Sequence, residues 1–135
     1  MVSLKRKKPA APQPPMRRLA APRVMTMPLT EVFEKRRTSR DFSDETVSDE
    51  DLAAVLWAAD GINRKDGRRT TPSAMNWQEI DLYVVKANGV WLWDAKNSAL
   101  VFVKDHDRRK DLCLWQPLVK NAPVHIVYVA SNDRA

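Results

Sequence analysis

The sequence predicts an α+β domain in which helices come first and an antiparallel meander of strands follows. Residues 48–61 show helical periodicity with signals for a start and a stop. Residues 80–103 consist of short apolar runs separated by turn residues, as expected for strands joined by hairpins. The predicted order is two helices, a meander, a helix and a last strand, which differs from the alternating strand–helix order of a doubly wound sheet.

The second helix is the clearest predicted element. Ser48 and Asp51 form a capping-box-like start, and the acids that follow Ser48 complement the helix dipole. The apolar positions 52, 55, 56 and 59 fall on one face, and Gly61 supplies a C-terminal stop.

The other elements follow from shorter patterns. Thr30 is predicted to cap a first helix that ends near the basic residues 35–37. Asn88 and Gly89 give a hairpin signal between two strands. We further expect a strand over residues 100–103, a helix over residues 107–115 and a buried strand over residues 124–130.

Charge divides the chain of 135 residues into two parts. Residues 1–27 hold 7 of the 23 basic residues, 5 of the 9 prolines and no acid, so the other 16 basic residues face 17 acids. We interpret residues 1–27 as a disordered basic tail and residues 28–135 as a domain. Binding of RNA or a membrane would concern the tail, and the domain itself is not expected to bind nucleic acid.

Other broad classes are excluded on composition. No run has the 18 or so apolar residues that a membrane span requires, and no apolar core of a signal peptide follows the basic start. Cys113 is the single cysteine, which favours a reducing, cytoplasmic setting. The two histidines lack neighbours at ligand spacing, so no metal site is predicted.

A first candidate site follows the first helix. Arg36, Arg37, Thr38 and Arg40 place three guanidinium groups and a hydroxyl within five positions. Guanidinium forks and hydroxyls suit phosphate oxygens, and alternate residues share one side if the chain is extended after Arg37. The alternative, on composition alone, is a solvated basic helix end.

A second candidate site precedes the predicted strand at residue 80. Ser73, Asn76 and Gln78 lie in a loop that feeds this strand. Amide side chains offer both donors and acceptors, as needed to read the edge of a planar heterocycle. Turn chemistry, with Ser73 and Asn76 bonded to nearby backbone, is the alternative.

Four ordered motifs together resemble the nitroreductase family. They are MPL at residues 27–29, RRTSRDF at residues 36–42, LWAADGINR at residues 56–64 and RTTPSAMNWQ at residues 69–78. The resemblance runs from about residue 27 to the end of the chain. It implies a homodimer of interlocked α+β subunits with FMN bound at the subunit interface.

The resemblance also implies roles for individual residues. Arg36 and Thr38 match positions that hold the FMN phosphate and ribityl end, with Arg37 beside them, and Arg40 matches a basic position near the pyrimidine side of the flavin. Ser73 and Asn76 match the loop that meets the ring from the partner subunit, and Gln78 is a further candidate. No side chain is implied as an acid–base catalyst, because the flavin carries the hydride.

The implied activity is FMN-dependent reduction of nitroaromatics, quinones or similar small electrophiles with NAD(P)H. The family continues beyond the strand at residues 124–130, so we expect a domain that is incomplete at its C-terminus. Two alternatives stay open: an inactive, truncated remnant of the fold, and a flavin-dependent azoline dehydrogenase of the same fold.

Overall fold

The structure is a computed structural model that describes residues 14–113 and 117–134. It confirms the α+β prediction, with two helices and one antiparallel sheet. The helices are α1 (Leu29–Lys35) and α2 (Asp49–Asp60), and the strands are β1 (Met16–Arg18), β2 (Ile80–Lys86), β3 (Gly89–Asp94), β4 (Ala99–Lys104) and β5 (Val124–Ala130). Short 3-10 turns occupy Ala74–Asn76, Arg109–Leu112, Pro117–Asn121 and Asn132–Arg134.

The sheet has the strand order β1-β4-β3-β2-β5, with antiparallel pairing throughout. The predicted meander is its centre, since β2, β3 and β4 are consecutive in the chain and adjacent in space. The last strand returns to pair along the whole of β2, from Ile80 opposite Ala130 to Lys86 opposite Val124. This arrangement puts the loop before β2 beside the end of β5, where the Ser131 N–H donates to the Glu79 carbonyl.

Helix α2 covers one face of the sheet and builds the core. Ser48 caps it as predicted, because its Oγ accepts a hydrogen bond from the Asp51 N–H at 3.1 Å. Leu52 and Leu56 then bury completely against the sheet. Their partners in the core are Leu82, Val84, Trp93 and Leu100.

Two predicted elements differ from the structure in detail. Helix α1 begins at Leu29, after Pro28, without a side-chain cap from Thr30. The hairpin turn precedes Gly89, which already pairs with Lys86 and has φ 129°. Such a backbone conformation favours glycine.

The predicted helix over residues 107–115 is wrong for the part that the structure describes. A single 3-10 turn, Arg109–Leu112, stands there, and residues 114–116 lie outside the described residues. Local bonds explain the difference: Arg109 engages the Asp107 carboxylate and donates to the Ala122 carbonyl at 3.2 Å. Leu112 is exposed, so no apolar face favours a longer helix.

The predicted disordered tail needs a correction after residue 13. Met16–Arg18 pairs with β4, and Leu19 is buried in the core, with its N–H donating to the Ser98 carbonyl. An ion pair between Arg17 and Asp49, at 2.7 Å, ties this strand to the start of α2. The first 13 residues lie outside the described residues, so the prediction for them stays untested.

Helix α1 leaves its apolar side chains uncovered. Leu29 and Phe33 are 69% and 68% exposed, and α1 has no buried residue. On α2, Val55 and Trp57 are exposed on the side away from the sheet. Within the described residues, no helix is long and apolar enough to span a bilayer.

Candidate functional site

The first candidate site, residues 36–42, follows α1 as an irregular segment. Arg36 ends the helix with φ −61° and ψ 121°, which turns the chain into an extended path. Arg36, Arg37, Thr38 and Arg40 are all exposed. We call residues 36–42 the basic segment.

The arginines of the basic segment differ in their contacts from the lysine that precedes them. Lys35, just before it, is held by Glu31 on α1. For Arg36, Arg37 and Arg40, the described residues include no carboxylate at ion-pair distance. Three solvated guanidinium groups and a hydroxyl are a donor set that suits a phosphate.

The end of the basic segment, Arg40, Asp41 and Phe42, lines a cavity. Arg40 contributes to a concavity of about 440 Å³, together with Phe42, Lys120 and Asn121. Lys120 therefore adds a cation that the sequence reading did not assign to a site. The sequence carries little signal for it, because Lys120 lies about eighty positions away in a region without a motif.

The second candidate site, with Ser73, Asn76 and Gln78, lies in a tightly bonded loop before β2, residues 69–79, which we call the Asn76 loop. Three of its residues have a left-handed backbone, with φ 51° at Met75, 59° at Asn76 and 50° at Gln78. Such conformations are uncommon for residues other than glycine and persist where the surroundings hold them.

Ser73 supports the backbone of the Asn76 loop. Its Oγ donates to the Glu79 carboxylate at 2.7 Å and accepts from the Gln78 N–H at 2.8 Å. The pKa of Glu79 is lowered, first by a hydrogen bond from its own backbone N–H and then by the Ser73 hydroxyl. The hydroxyl predicted to meet a ligand is thus already engaged within the loop.

Asn76 is presented outward. It is exposed, and its Oδ1 accepts a hydrogen bond from Gln78 Nε2 at 3.2 Å. This bond orients the amide and leaves the Nδ2 donors for a ligand. Gln78 lies inside the loop instead, where its Oε1 accepts from Arg69 Nε at 3.0 Å.

A buried ion pair fixes the start of the Asn76 loop, and the sequence reading missed it. Asp60, the last residue of α2, is 4% exposed and pairs with Arg69. Thr71 Oγ1 donates to the same carboxylate at 2.8 Å. Asp60, Arg69, Thr71 and Gln78 form what we call the polar network. The burial of Asp60 could have been predicted from the sequence, because Asp60 follows Leu52 and Leu56 at intervals of four and so falls on the buried face of α2.

The Asn76 loop borders a concavity of about 660 Å³. Its lining includes Arg64, Arg68, Arg69, Ser73, Met75 and Asn76. No member of the basic segment lines it, and neither Ser73 nor Asn76 lines the cavity at Arg40. The two candidate sites therefore stand apart within one protomer.

The two histidines have separate surroundings. His106 is exposed and lies 2.7 Å from an Asp105 carboxylate oxygen. His125 stands on β5 with a buried Nε2 that has no partner in the described structure, and burial lowers its pKa, helped by the Arg109 cation. Within the described residues, no group of three histidine, cysteine or acidic side chains is arranged to hold a metal ion.

Comparison with known proteins places these features in context. A sequence model described as "Nitroreductase family" matches residues 33–135. A protein of Methanocaldococcus jannaschii named "putative nitroreductase" is 25% identical over 122 residues, which is 84% of this chain and 62% of that protein. Residues 33–135, which the family model matches, include both the basic segment and the Asn76 loop.

Two solved structures are similar in fold. A "putative nitroreductase" from Ralstonia eutropha superimposes with a TM-score of 0.81 at 31% identity, over 94% of this chain and 64% of that one. One from Anabaena variabilis has a TM-score of 0.54 at 21% identity, over 62% of this chain and 20% of that one, and it shows similarity of fold alone. The chain thus spans a little under two thirds of the Methanocaldococcus and Ralstonia proteins.

Proposed function

Because the chain belongs to the nitroreductase family, we propose that it acts as an FMN-dependent oxidoreductase that reduces nitroaromatics, quinones or similar small electrophiles with NAD(P)H. The observation that carries this proposal is that two surfaces of the protomer offer different groups for binding. Within the described residues, the arginines of the basic segment have no carboxylate at ion-pair distance, and the Asn76 loop offers an oriented amide beside a large concavity. A flavin needs both kinds of contact.

The donor chemistry of the basic segment fits the phosphate end of FMN. Arg36 and Thr38 would hold the phosphate and ribityl hydroxyls, with Arg37 beside them, because charged donors and a hydroxyl form short bonds to phosphate oxygens. Arg40 lies near enough to Lys120 to share a cavity. Arg40 would lie towards the pyrimidine side of the flavin ring, where a cation would stabilise the negative charge of the reduced ring.

The Asn76 loop would meet the isoalloxazine ring. Asn76 keeps two amide donors for the polar edge of the ring, whereas Ser73 holds the loop in shape through Glu79 and the Gln78 N–H. When bound, FMN would supply the two-electron hydride chemistry between NAD(P)H and the acceptor. The chain's own contribution is to bind, orient and stabilise charge.

We propose that two protomers combine to form each site. The two candidate surfaces border different cavities of one protomer, so a flavin that touches both would lie between chains. The uncovered apolar side chains of α1, among them Leu29 and Phe33, and Trp57 on α2 provide surface for a second copy.

Titration with FMN tests the proposal. The purified chain should quench FMN fluorescence with one FMN per protomer, and light scattering should show a dimer. Arg36→Gln and Arg40→Gln should each weaken binding by about tenfold or more, since a hydrogen bond to a charged group contributes roughly 1.5–3 kcal/mol. Arg18→Gln, an exposed arginine on β1, is the matched control and should bind as the wild type does.

The outcomes separate the enzyme from an inactive remnant of the fold. A folded wild-type protein that takes up no FMN at tens of micromolar would overturn the proposal for this chain. Equal losses in Arg36→Gln and Arg18→Gln would show that net charge alone attracts the flavin. If FMN binds, NADH or NADPH oxidation with a quinone and with a nitroaromatic measures the activity.

A further inference from the structure

The concavity beside the Asn76 loop has features that flavin binding alone does not require. Arg64 and Arg68 line it on the side formed by residues 64–68, which precede the Asn76 loop. Met75 lines it from the loop and is 83% exposed. The space of about 660 Å³ is large enough for a small aromatic substrate.

Positive charge in this concavity is incompletely neutralised. No acidic residue belongs to its lining. Arg69 is paired with the buried Asp60, whereas the acidic partner of Arg68 among the described residues is the exposed Asp66, at 3.5 Å. In the part of the chain that the structure describes, no carboxylate lies at ion-pair distance from Arg64.

The remaining lining suits a flat apolar body. Met75 and Pro72 contribute apolar surface, and an exposed methionine adapts to aromatic partners. Asn76 belongs both to this lining and to the surface proposed to meet the flavin ring. A molecule in the concavity would therefore lie next to the ring.

We propose that Arg64 and Arg68 form a subsite for an oxyanion, carboxylate or phosphate, on a planar molecule that exchanges electrons with the flavin. This inference rests on the proposed function, because it takes the ring to lie at Asn76. The oxyanion has two possible sources: an acidic group on the electron acceptor, or the 2′-phosphate of NADPH. Guanidinium forks recognise either group with paired hydrogen bonds.

The test measures equilibrium binding to the FMN-loaded, oxidised protein by calorimetry. One arm compares 4-nitrobenzoate with 4-nitrobenzamide, which differ in charge but little in shape. The other arm compares NADP⁺ with NAD⁺, which cannot reduce the flavin. Each is measured with the wild type, with the double variant Arg64→Gln/Arg68→Gln, and with Arg18→Gln as a control that lies outside the lining.

We expect the wild type to bind either 4-nitrobenzoate about tenfold more tightly than 4-nitrobenzamide, or NADP⁺ about tenfold more tightly than NAD⁺. In the double variant the same difference in affinity should be no more than about twofold. Loss of preference in the nitrobenzoate arm assigns the subsite to the acceptor, and loss in the NADP⁺ arm assigns it to the donor. Equal binding within both pairs, or a preference that survives in the double variant, would overturn the inference.

Flavin binding is measured on the same preparations, so the two proposals fail separately. Absence of FMN uptake counts against the proposed function. Normal FMN uptake with no discrimination by charge counts against the oxyanion subsite alone. Both arginines are exposed, so their replacement by glutamine leaves the packing of the loop intact.

Discussion

The basic segment and the Asn76 loop differ in how much of their structure the protomer itself determines. The basic segment is exposed and irregular, and its cations have no carboxylate partners among the described residues. The Asn76 loop has three residues with positive φ, held by the polar network and by Ser73. Both regions were identified from sequence motifs. Of the two, the Asn76 loop has its conformation fixed by hydrogen bonds within the protomer, before any ligand binds.

This difference implies that the two halves of the proposed site lose different amounts of conformational entropy when a ligand binds. A prebuilt loop loses little conformational entropy when it meets a ligand, so most of its contact energy contributes to affinity. Exposed arginines must be ordered on binding, which offsets part of their charge-assisted hydrogen bonds. Substitutions in the loop should therefore affect stability, and substitutions in the basic segment should affect only binding.

The largest expected effect is removal of the buried acid in the polar network. Asp60→Ala leaves the Arg69 cation without its partner at a site that is largely closed to water. Breaking a buried pair in this way costs about 3–5 kcal/mol. Chemical denaturation should show this loss, whereas Asp41→Ala in the basic segment should stay within about 0.5 kcal/mol of the wild type. Equal losses in the free energy of unfolding for Asp60→Ala and Asp41→Ala would contradict the view that the polar network stabilises the fold and the basic segment does not.

A second, smaller effect is expected at the end of α2. A Cβ added at Gly61 would lie 2.5 Å from the Trp57 carbonyl oxygen, which is backbone and cannot move away cheaply. Gly61→Ala should destabilise the protein by about 1–3 kcal/mol through this overlap. Thermal unfolding measures the change, and Gly67→Ala offers a comparison, because it is strained by φ 83° but has open space around it. A larger loss at position 67 than at position 61 would contradict the steric argument.

Much of the fold could be predicted from the sequence because its signals are local. Ser48, the stripe through Leu52 and Leu56, and the stop at Gly61 define α2 within a few positions. The bounds of β5 agree with the apolar stretch after Pro123, which His125 interrupts, but the expectation of a buried strand is wrong, because β5 lies at the edge of the sheet and is half-buried to exposed. Strand β1 could not be predicted, since Met16–Arg18 gains its structure from β4, more than eighty positions later.

The candidate site was predictable in composition but not in arrangement. Arg36 and Arg40 are exposed and have no carboxylate at ion-pair distance among the described residues, and Asn76 is exposed as well, but their assignment to a flavin stays a prediction. The internal role of Ser73 depends on Glu79, six positions away, and on a loop shape that no spacing rule describes. Lys120 reaches the cavity at Arg40 only through the tertiary fold.

A third prediction concerns the strained backbone of the Asn76 loop at Met75. Met75 adopts φ 51° while its side chain is 83% exposed, so little packing is lost if it is removed. Met75→Gly should raise the free energy of unfolding by up to about 1 kcal/mol, because glycine tolerates this conformation. The same change removes apolar surface from the concavity, so binding of 4-nitrobenzamide should weaken. A destabilised variant would show that the flexibility of glycine in the unfolded chain outweighs the strain.

The smallest expected effect is a pH dependence that originates in the Asn76 loop. The folded state lowers the pKa of Glu79, first through its own backbone N–H and then through the Ser73 hydroxyl. A carboxyl whose pKa is lower when folded contributes stability above its unfolded value of about 4.3, and this contribution is lost as the pH falls through the folded value. Urea midpoints measured from neutral to acidic pH should therefore fall less steeply for Glu79→Gln than for the wild type, with Ser73→Ala between them. Identical slopes in all three proteins would mean that the bond between Ser73 and Glu79 does not hold the loop in solution, and the loop would then resemble the basic segment in forming its shape only on a ligand.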